Sequence, residues 1–432
     1  MIKKLSKLSS GRIIALGFMA LIFIGSVLLT MPFSIKTGQS VKFIDALYTA
    51  ASAVCVTGLA TVDVGDTFTA VGQLIIIMLI QIGGLGVTSI GAGVIVALGR
   101  RVNLKGRNII REAMNLNSGN GIVEFLKEVF KTTLAIELLG TVLSFFTFSR
   151  DYSAGRAAWI SIFHAISAFN NAGFDILGGG QSLSHYKSNV WLNIVTCMLI
   201  FFGSIGFLVI REMRTKKLDF KRYSLHSKVA LTMSIILIAG GTVLMKFTEG
   251  IPWLGALFAS VTARTAGFST YSFGNFTSAG LMVMMVLMFI GASSGSTGGG
   301  VKTGTIFVLV KGVAAAAANK NEKAFKYAIP REAFKKAAVV SIMAVTAIMV
   351  STFLILIMEP QLELKDVLFE MVSAAATVGL TTGITSGLGI GAKIVTVIMM
   401  YIGRLGPLTI AALWYFSKGE RVELAEGNLP IG

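Results

Sequence analysis

Four glycines in this 432-residue chain each close a short apolar run: Leu47 to Leu59, Ile162 to Phe174, Ala256 to Phe268 and Leu368 to Leu380. The runs end in Val56-Thr57-Gly58, Asn171-Ala172-Gly173, Thr265-Ala266-Gly267 and Thr377-Val378-Gly379. These tripeptides carry no acid, base or thiol, so the chemistry open to them is that of the backbone. Glycine reaches the positive-φ conformations that turn successive carbonyls to one side. Carbonyls aligned in that way replace the water shell of a dehydrated cation, and a helix that ends at such a turn adds its partly negative C-terminus.

A second glycine-rich stretch has another character. Gly291-Ala292-Ser293-Ser294-Gly295-Ser296-Thr297-Gly298-Gly299-Gly300, followed by Val301-Lys302-Thr303, interrupts an apolar helix in mid-course. A phosphate loop needs glycine directly before its lysine and a strand ahead of it; Val301 occupies that place and the strand is missing, so nucleotide binding here is set aside. The stretch is expected to form a pliable loop beneath the glycine turns that obstructs or opens a path. Arg404, at the matching level of the last apolar helix, is placed to hold it. The alternative is a packing kink with no gating role.

Backbone that leaves helical geometry at membrane depth survives only where protein or a wet cavity satisfies it, a condition that four such turns around one axis meet together. The elements that must position them follow from hydrophobic length. Half-helices at about Phe43 to Val56, Ala157 to Asn170, Pro252 to Thr265 and Leu364 to Thr377 fall short of the roughly 20 residues that cross a bilayer. Full spans are expected at Gly11 to Met31, Val71 to Leu98, Phe130 to Phe148, Asn189 to Ile210, Lys228 to Met245, Ser278 to Val310, Ala337 to Met358 and Ala392 to Phe416.

The expected fold class is therefore an all-α polytopic membrane protein of four fused helix–pore loop–helix repeats. It has eight transmembrane helices, four re-entrant loops and pseudo-fourfold symmetry around one central pore. The repeats are read as 1–100 with pore loop 43–59, 101–222 with a cytoplasmic linker and pore loop 157–174, 223–318 with pore loop 252–268 and gate loop 291–300, and 319–432 with pore loop 364–380 and a cytoplasmic tail. A second motif supports this register: Ile82-Gly83-Gly84-Leu85-Gly86, Phe202-Gly203-Ser204-Ile205-Gly206, Ile290-Gly291 and Ile402-Gly403-Arg404-Leu405-Gly406 follow the turns in the same order. Taken singly, each of these glycines reads as a site of close helix packing.

Composition agrees. The chain is 54% hydrophobic and 14% charged, outside the soluble globular range. It lacks the alternating ten-residue segments of a membrane β-barrel. The formal charge of +17 is gathered between apolar segments rather than spread as a nucleic-acid patch: Lys3, Lys4, Lys7 and Arg12; Arg100, Arg101, Lys105, Arg107 and Arg111; Arg211 to Lys228; Lys320 to Lys336; and the tail with Lys418 and Arg421. The positive-inside bias puts these clusters, and both termini, in the cytoplasm. Ile13 to Met31 lacks a small-x-small cleavage site and reads as a retained span. Cys55 and Cys197 lie in apolar segments and offer neither a disulfide framework nor a metal motif.

No side-chain constellation suggests an enzyme. His164, His185 and His226 lack metal-ligand spacing. Glu137 and Glu370 fall within apolar segments, where an acid is a functional candidate by default; both read as partners that hydrogen-bond the pore loops. Arg264, three residues before Gly267, is expected to brace its hairpin from behind, because a guanidinium among the carbonyls would repel cations.

With these motifs, the chain resembles the superfamily of K⁺ transporters named Trk, Ktr and HKT, over essentially its full length and most closely in its KtrB-type members, which begin directly with the first repeat. The resemblance implies a K⁺-translocating subunit with Na⁺ as an activator, no cofactor in this chain, and a homodimer with one pore per protomer, set among membrane lipids. It also implies a cytosolic KtrA- or KtrC-like ring that binds ATP or ADP and controls the gate. By position, the ion-coordinating carbonyls would be those of Val56, Thr57, Gly58, Asn171, Ala172, Gly173, Thr265, Ala266, Gly267, Thr377, Val378 and Gly379. The gate would comprise Gly291, Ser293, Ser294, Gly295, Ser296, Thr297, Gly298, Gly299, Gly300, Lys302 and Arg404. One glycine per loop departs from the TVGYG of potassium channels, and the second loop, with Asn170-Asn171, departs most, so passage of Na⁺ or Rb⁺ is expected. The rival reading is a Na⁺-coupled transporter of a small solute with discontinuous helices.

Overall fold

In a computed structural model, residues 10–97, 121–217 and 219–406 are described. The basic residues Lys3, Lys4, Lys7, Arg100, Arg101, Lys105, Arg107, Arg111, Lys418 and Arg421 lie outside these ranges, as does the end of the last expected span.

Among the described residues, four helices are long and apolar enough to cross a membrane: α1 (Ser10–Leu29), α5 (Ile122–Phe148), α9 (Leu225–Glu249) and α13 (Arg331–Met358). Their surfaces are inverted relative to a soluble protein. Phe247 is 81% exposed, Ile342 66% and Phe353 64%, whereas Ser26, Thr133, Glu137, Ser234 and Thr352 on the same helices are buried. Apolar exposure of this kind marks a surface meant for lipid.

A half-helix follows each long helix: α2 (Phe43–Cys55), α6 (Ala154–Phe169), α10 (Trp253–Thr262) and α14 (Leu364–Ala376). Return helices come next, and here the structure corrects the expected spans. The stretches Val71 to Leu98, Asn189 to Ile210 and Ala392 to Phe416 are not continuous helices. The chain is instead divided into α3 (Ala70–Leu85) and α4 (Val87–Ala97), α7 (Val190–Ile205) and α8 (Phe207–Lys216), and α15 (Ile390–Leu405), which stops at Gly406. Gly86, Gly206 and Gly406 adopt φ of 87°, 97° and 85°, a conformation no L-residue holds comfortably and no helix contains. The α7–α8 bend reaches 100°. In the third copy the break widens into the segment between α11 (Ser278–Phe289) and α12 (Thr303–Ala317).

Two further differences are local. α5 and α13 begin earlier than expected, because Phe125, Leu126 and Val129 are buried beside their charged neighbours and α13 is entered directly after Pro330. Within the basic stretch Lys320 to Lys336, a two-residue hairpin pairs Lys323 with Ala328 and Ala324 with Tyr327.

Acidic residues fasten two of the long helices to the return helices. Glu249, the last residue of α9, accepts from the Thr277 backbone N–H at 3.2 Å ahead of α11, and Glu359, next after α13, accepts from the Gly389 N–H at 2.8 Å ahead of α15. Each carboxylate thus caps the positive end of a return helix.

Candidate functional site

The four tripeptides share one backbone conformation. Val56, Asn171, Thr265 and Thr377 are left-handed, with φ of 57°, 58°, 71° and 51°, and two residues on Gly58, Gly173, Gly267 and Gly379 have φ of 95°, 68°, 84° and 94°. Holding a non-glycine residue there costs on the order of 1–3 kcal/mol each and persists only where the surroundings over-determine it. Those surroundings are visible in the hydrogen bonds. Thr57 N–H donates to the Ser52 carbonyl at 2.8 Å, Ala172 N–H to Ser167 at 2.8 Å, Ala266 N–H to Thr262 at 3.0 Å and Val378 N–H to Ser373 at 2.8 Å. In the first and last copies a serine hydroxyl also catches the glycine itself, with Gly58 N–H on Ser52 Oγ at 2.9 Å and Gly379 N–H on Ser373 Oγ at 3.0 Å.

Sequence reasoning missed these serines. Their signal was present: serine stands six residues before glycine in Ser52, Ser167 and Ser373, and only the third copy departs, with Val261.

The glycines meet one another in a closed cycle. A Cβ on Gly58 would lie 2.5 Å from the Ala172 carbonyl oxygen, and one on Gly173 would lie 2.7 Å from that of Ala266. Likewise, Gly267 abuts the Val378 carbonyl and Gly379 the Thr57 carbonyl, both closer than 3.0 Å. The contacts run first to second to third to fourth and back to first. Any side chain at these positions would strike a neighbour's carbonyl.

Directly against this ring lies the segment 290–302. A Cβ on Gly298 would strike Thr265 Oγ1, and one on Gly299 would strike Thr377 Oγ1. Both threonine hydroxyls are buried without a hydrogen-bond partner among the described residues. The segment is tied at many points. Ser293 N–H donates to the Ser204 carbonyl at 2.9 Å, Thr297 N–H to Gly203 at 3.2 Å, and Phe207 N–H to Gly295 at 2.9 Å. Asn171 Nδ2 donates to Thr297 Oγ1 at 3.1 Å. Ser296 Oγ donates to the Ser293 carbonyl at 2.6 Å, and Gly206, at the α7–α8 break, leaves room for Ser294.

Two cations hold the segment. Arg404 donates through Nη1 to the Thr297 carbonyl and through Nη2 to the carbonyls of Gly83 and Gly84, the latter at 2.9 Å. Lys302 Nζ donates to the Gly298 carbonyl at 2.6 Å and to Gly299 at 3.3 Å. The four glycine turns, the segment 290–302, Lys302 and Arg404 are thus in mutual contact, with one positive charge within the segment and another beside it.

The remaining candidates are buried. Thr385 Oγ1 donates to Glu370 Oε1. Glu137 accepts from Asn170 Nδ2 at 3.0 Å and from Gln81 Nε2 at 3.3 Å. Arg264 is fully buried, and its Nε and Nη2 find no acceptor among the described residues. His164 bonds Thr196 Oγ1 at 2.9 Å and packs against Phe148 and Phe268. Among the described residues no group of three His, Cys, Asp or Glu side chains is placed to hold a metal.

Comparison with known proteins follows the same lines. The family model of TrkH, a cation transport protein, matches residues 12–249 and 224–418. The chain is 37% identical to the Ktr system potassium uptake protein B of Bacillus subtilis, over 98% of this chain and 96% of the relative. It is 36% identical to the potassium/sodium uptake protein NtpJ of Enterococcus hirae, over 98% of this chain and 95% of the relative. The crystal structure of the potassium transporter TrkH from Vibrio parahaemolyticus superposes with a TM-score of 0.75 at 18% identity, covering 95% of this chain and 86% of that one. This last likeness is one of fold.

Proposed function

The chain belongs to the TrkH family of cation transport proteins, and from that premise we propose that it carries K⁺ inward across the cytoplasmic membrane as the ion-translocating subunit of a Ktr-type uptake system. Its relatives are transporters and not enzymes. The observation that carries the proposal is the closed cycle of Gly58, Gly173, Gly267 and Gly379, each against the next loop's carbonyl. Four repeats with pseudo-fourfold symmetry, bounded at 1–100, 101–222, 223–318 and 319–432, are the arrangement that this cycle supports. The carbonyls of the four tripeptides form the selectivity filter, replacing the hydration shell of a dehydrated K⁺. The half-helices direct their partly negative C-termini at the ion.

The segment from Gly291 to Lys302 is the gate. Its contact with the inner edge of the filter at Thr265 and Thr377 blocks the path, and the charges of Lys302 and Arg404 oppose a cation leaving the filter. Opening requires release of Thr297 from Arg404. A cytosolic ring of nucleotide-binding subunits, acting on a homodimer from the basic cytoplasmic face, supplies that release; the Ktr system naming of the relatives supports a multi-component assembly. Na⁺ enters as activator or fellow ion, in keeping with the paired potassium and sodium of the Enterococcus relative's name.

The test is growth of a K⁺-uptake-deficient strain on low potassium. The wild-type chain, expressed with its regulatory partner, restores growth. Gly379→Ser, present in the membrane at equal amount, does not; full rescue by that variant would overturn the filter assignment.

A further inference from the structure

Asn170 caps the second half-helix and directly precedes Asn171 of the second glycine turn. Its side chain turns away from the ring. Nδ2 donates to Gln81 Oε1 at 2.8 Å, to Glu137 Oε1 at 3.0 Å and to the Ile166 carbonyl at 2.9 Å. Gln81 Nε2 completes the triangle on Glu137 Oε2 at 3.3 Å. Three elements converge here: α3 of the first copy, α5 of the second, and the end of α6. Gly84 makes space for the amide, since a Cβ there would strike Asn170 Oδ1.

The triangle is continuous with the gate. Asn171 Nδ2 holds Thr297 Oγ1 at 3.1 Å, Thr297 is held by Arg404, and Arg404 returns to the carbonyls of Gly83 and Gly84, one turn from Gln81. Hydrogen bonds thus enclose the second turn, whose sequence departs most from the other three. An acid in a membrane helix is costly, and it is kept where it has work to do. Both oxygens of Glu137 accept here, and its residue is buried among exposed neighbours such as Leu134, Leu138 and Leu139.

We propose that Glu137, with Gln81, is a specificity-determining positioning residue: by fixing Asn170 it sets the position of the Asn171-Ala172-Gly173 carbonyls, and so the preference of the filter for K⁺ over Na⁺. Glu137 touches no transported ion and acts through Asn170. The inference rests on the filter reading given above, and its test separates the two.

Purified wild type, Glu137→Ala, Glu137→Gln, Gln81→Ala, Asn170→Ala and the double variant Glu137→Ala/Asn170→Ala are reconstituted in proteoliposomes, and uptake of ⁸⁶Rb⁺ and ²²Na⁺ is compared at equal protein. Loss of a charge-assisted hydrogen bond should lower the Rb⁺/Na⁺ uptake ratio about tenfold in Glu137→Ala. Glu137→Gln, which keeps one uncharged acceptor for Asn170, should lower the ratio less than Glu137→Ala does. The double variant should be no worse than Asn170→Ala, because both act on one contact. If Glu137→Ala does not fold, Gln81→Ala, which removes the other side-chain acceptor, should shift the ratio in the same direction. An unchanged ratio in the folded Ala variants overturns the inference, as does an additive double variant. A wild type that takes up neither ion even with its regulatory partner present overturns the filter reading instead.

Discussion

Lys393 of α15 places its Nζ 2.7 Å from Asp45 Oδ1 of α2, joining the last return helix to the first half-helix across 348 residues of sequence. Both side chains are only 12% exposed. This pair fastens α15 to the first turn of α2, the half-helix that leads into the Val56-Thr57-Gly58 turn.

Removing one partner strands the other charge in a poorly solvated place, which costs about 3–5 kcal/mol for a fully buried pair and less here. Lys393→Met should therefore lower the melting temperature of the detergent-solubilised protein and reduce K⁺ uptake. Asp45→Asn/Lys393→Met should recover much of the loss. A double variant as unstable as the sum of the two single ones would show that the pair does not act as a unit.

Ser373→Ala removes the hydroxyl that receives the Gly379 N–H. One net hydrogen bond is worth about 1 kcal/mol, so the fold should survive with a modest fall in thermal stability, while the Rb⁺/Na⁺ uptake ratio drops. Ser52→Ala should behave alike in the first copy. Ser167→Ala should have the smallest effect of the three, because the Ser167 hydroxyl finds no hydrogen-bond partner.

Arg404→Gln releases the Thr297 carbonyl from the guanidinium that donates to it. Uptake in proteoliposomes lacking any cytosolic partner should rise several-fold. Shortening the segment between Ser293 and Gly299 should do the same and abolish control by the partner. Flux and control that both match the wild type in the shortened variant would leave the segment as a packing kink.

Glu212 of α8 makes a pH-sensitive contact with the start of α9. Burial alone would raise the Glu212 carboxyl, but the Ser224 backbone N–H, at 2.8 Å, with the Ser224 hydroxyl, Lys216 and Ser227, outweighs it and holds the group below the ordinary carboxylate range. A depressed carboxyl contributes stability above its unfolded pKa and loses it as pH falls through the folded value. The difference in melting temperature between wild type and Glu212→Ala should therefore be full at neutral pH and shrink as pH drops below about 4. A difference that grows on acidification would contradict the assignment.

Much of this was legible in the chain because hydrophobic length and glycine placement are local signals. The half-helices, the four tripeptides and the interrupted third return helix could all be read that way. The breaks at Gly86 and Gly206 were not, since a lone glycine in an apolar run is also what close helix packing requires, and only the left-handed φ tells the two apart. Ser52 and Ser373 escaped notice because serine is unremarked in a membrane helix until its hydroxyl is seen to meet a turn. The Lys393–Asp45 pair and the Glu137–Gln81–Asn170 triangle join residues distant in sequence, and no single-chain pattern marks which charge will meet which.

Whether the glycine cycle is the path of the ion is tested most directly by ⁸⁶Rb⁺ uptake into proteoliposomes that also hold the regulatory partner, with competing K⁺ or Na⁺ outside, for wild type and for Gly379→Ser. Wild-type uptake should be suppressed more strongly by K⁺ than by Na⁺, with little or no K⁺-preferring uptake by the variant. Wild-type uptake with unchanged K⁺ preference in folded Gly379→Ser would contradict that path.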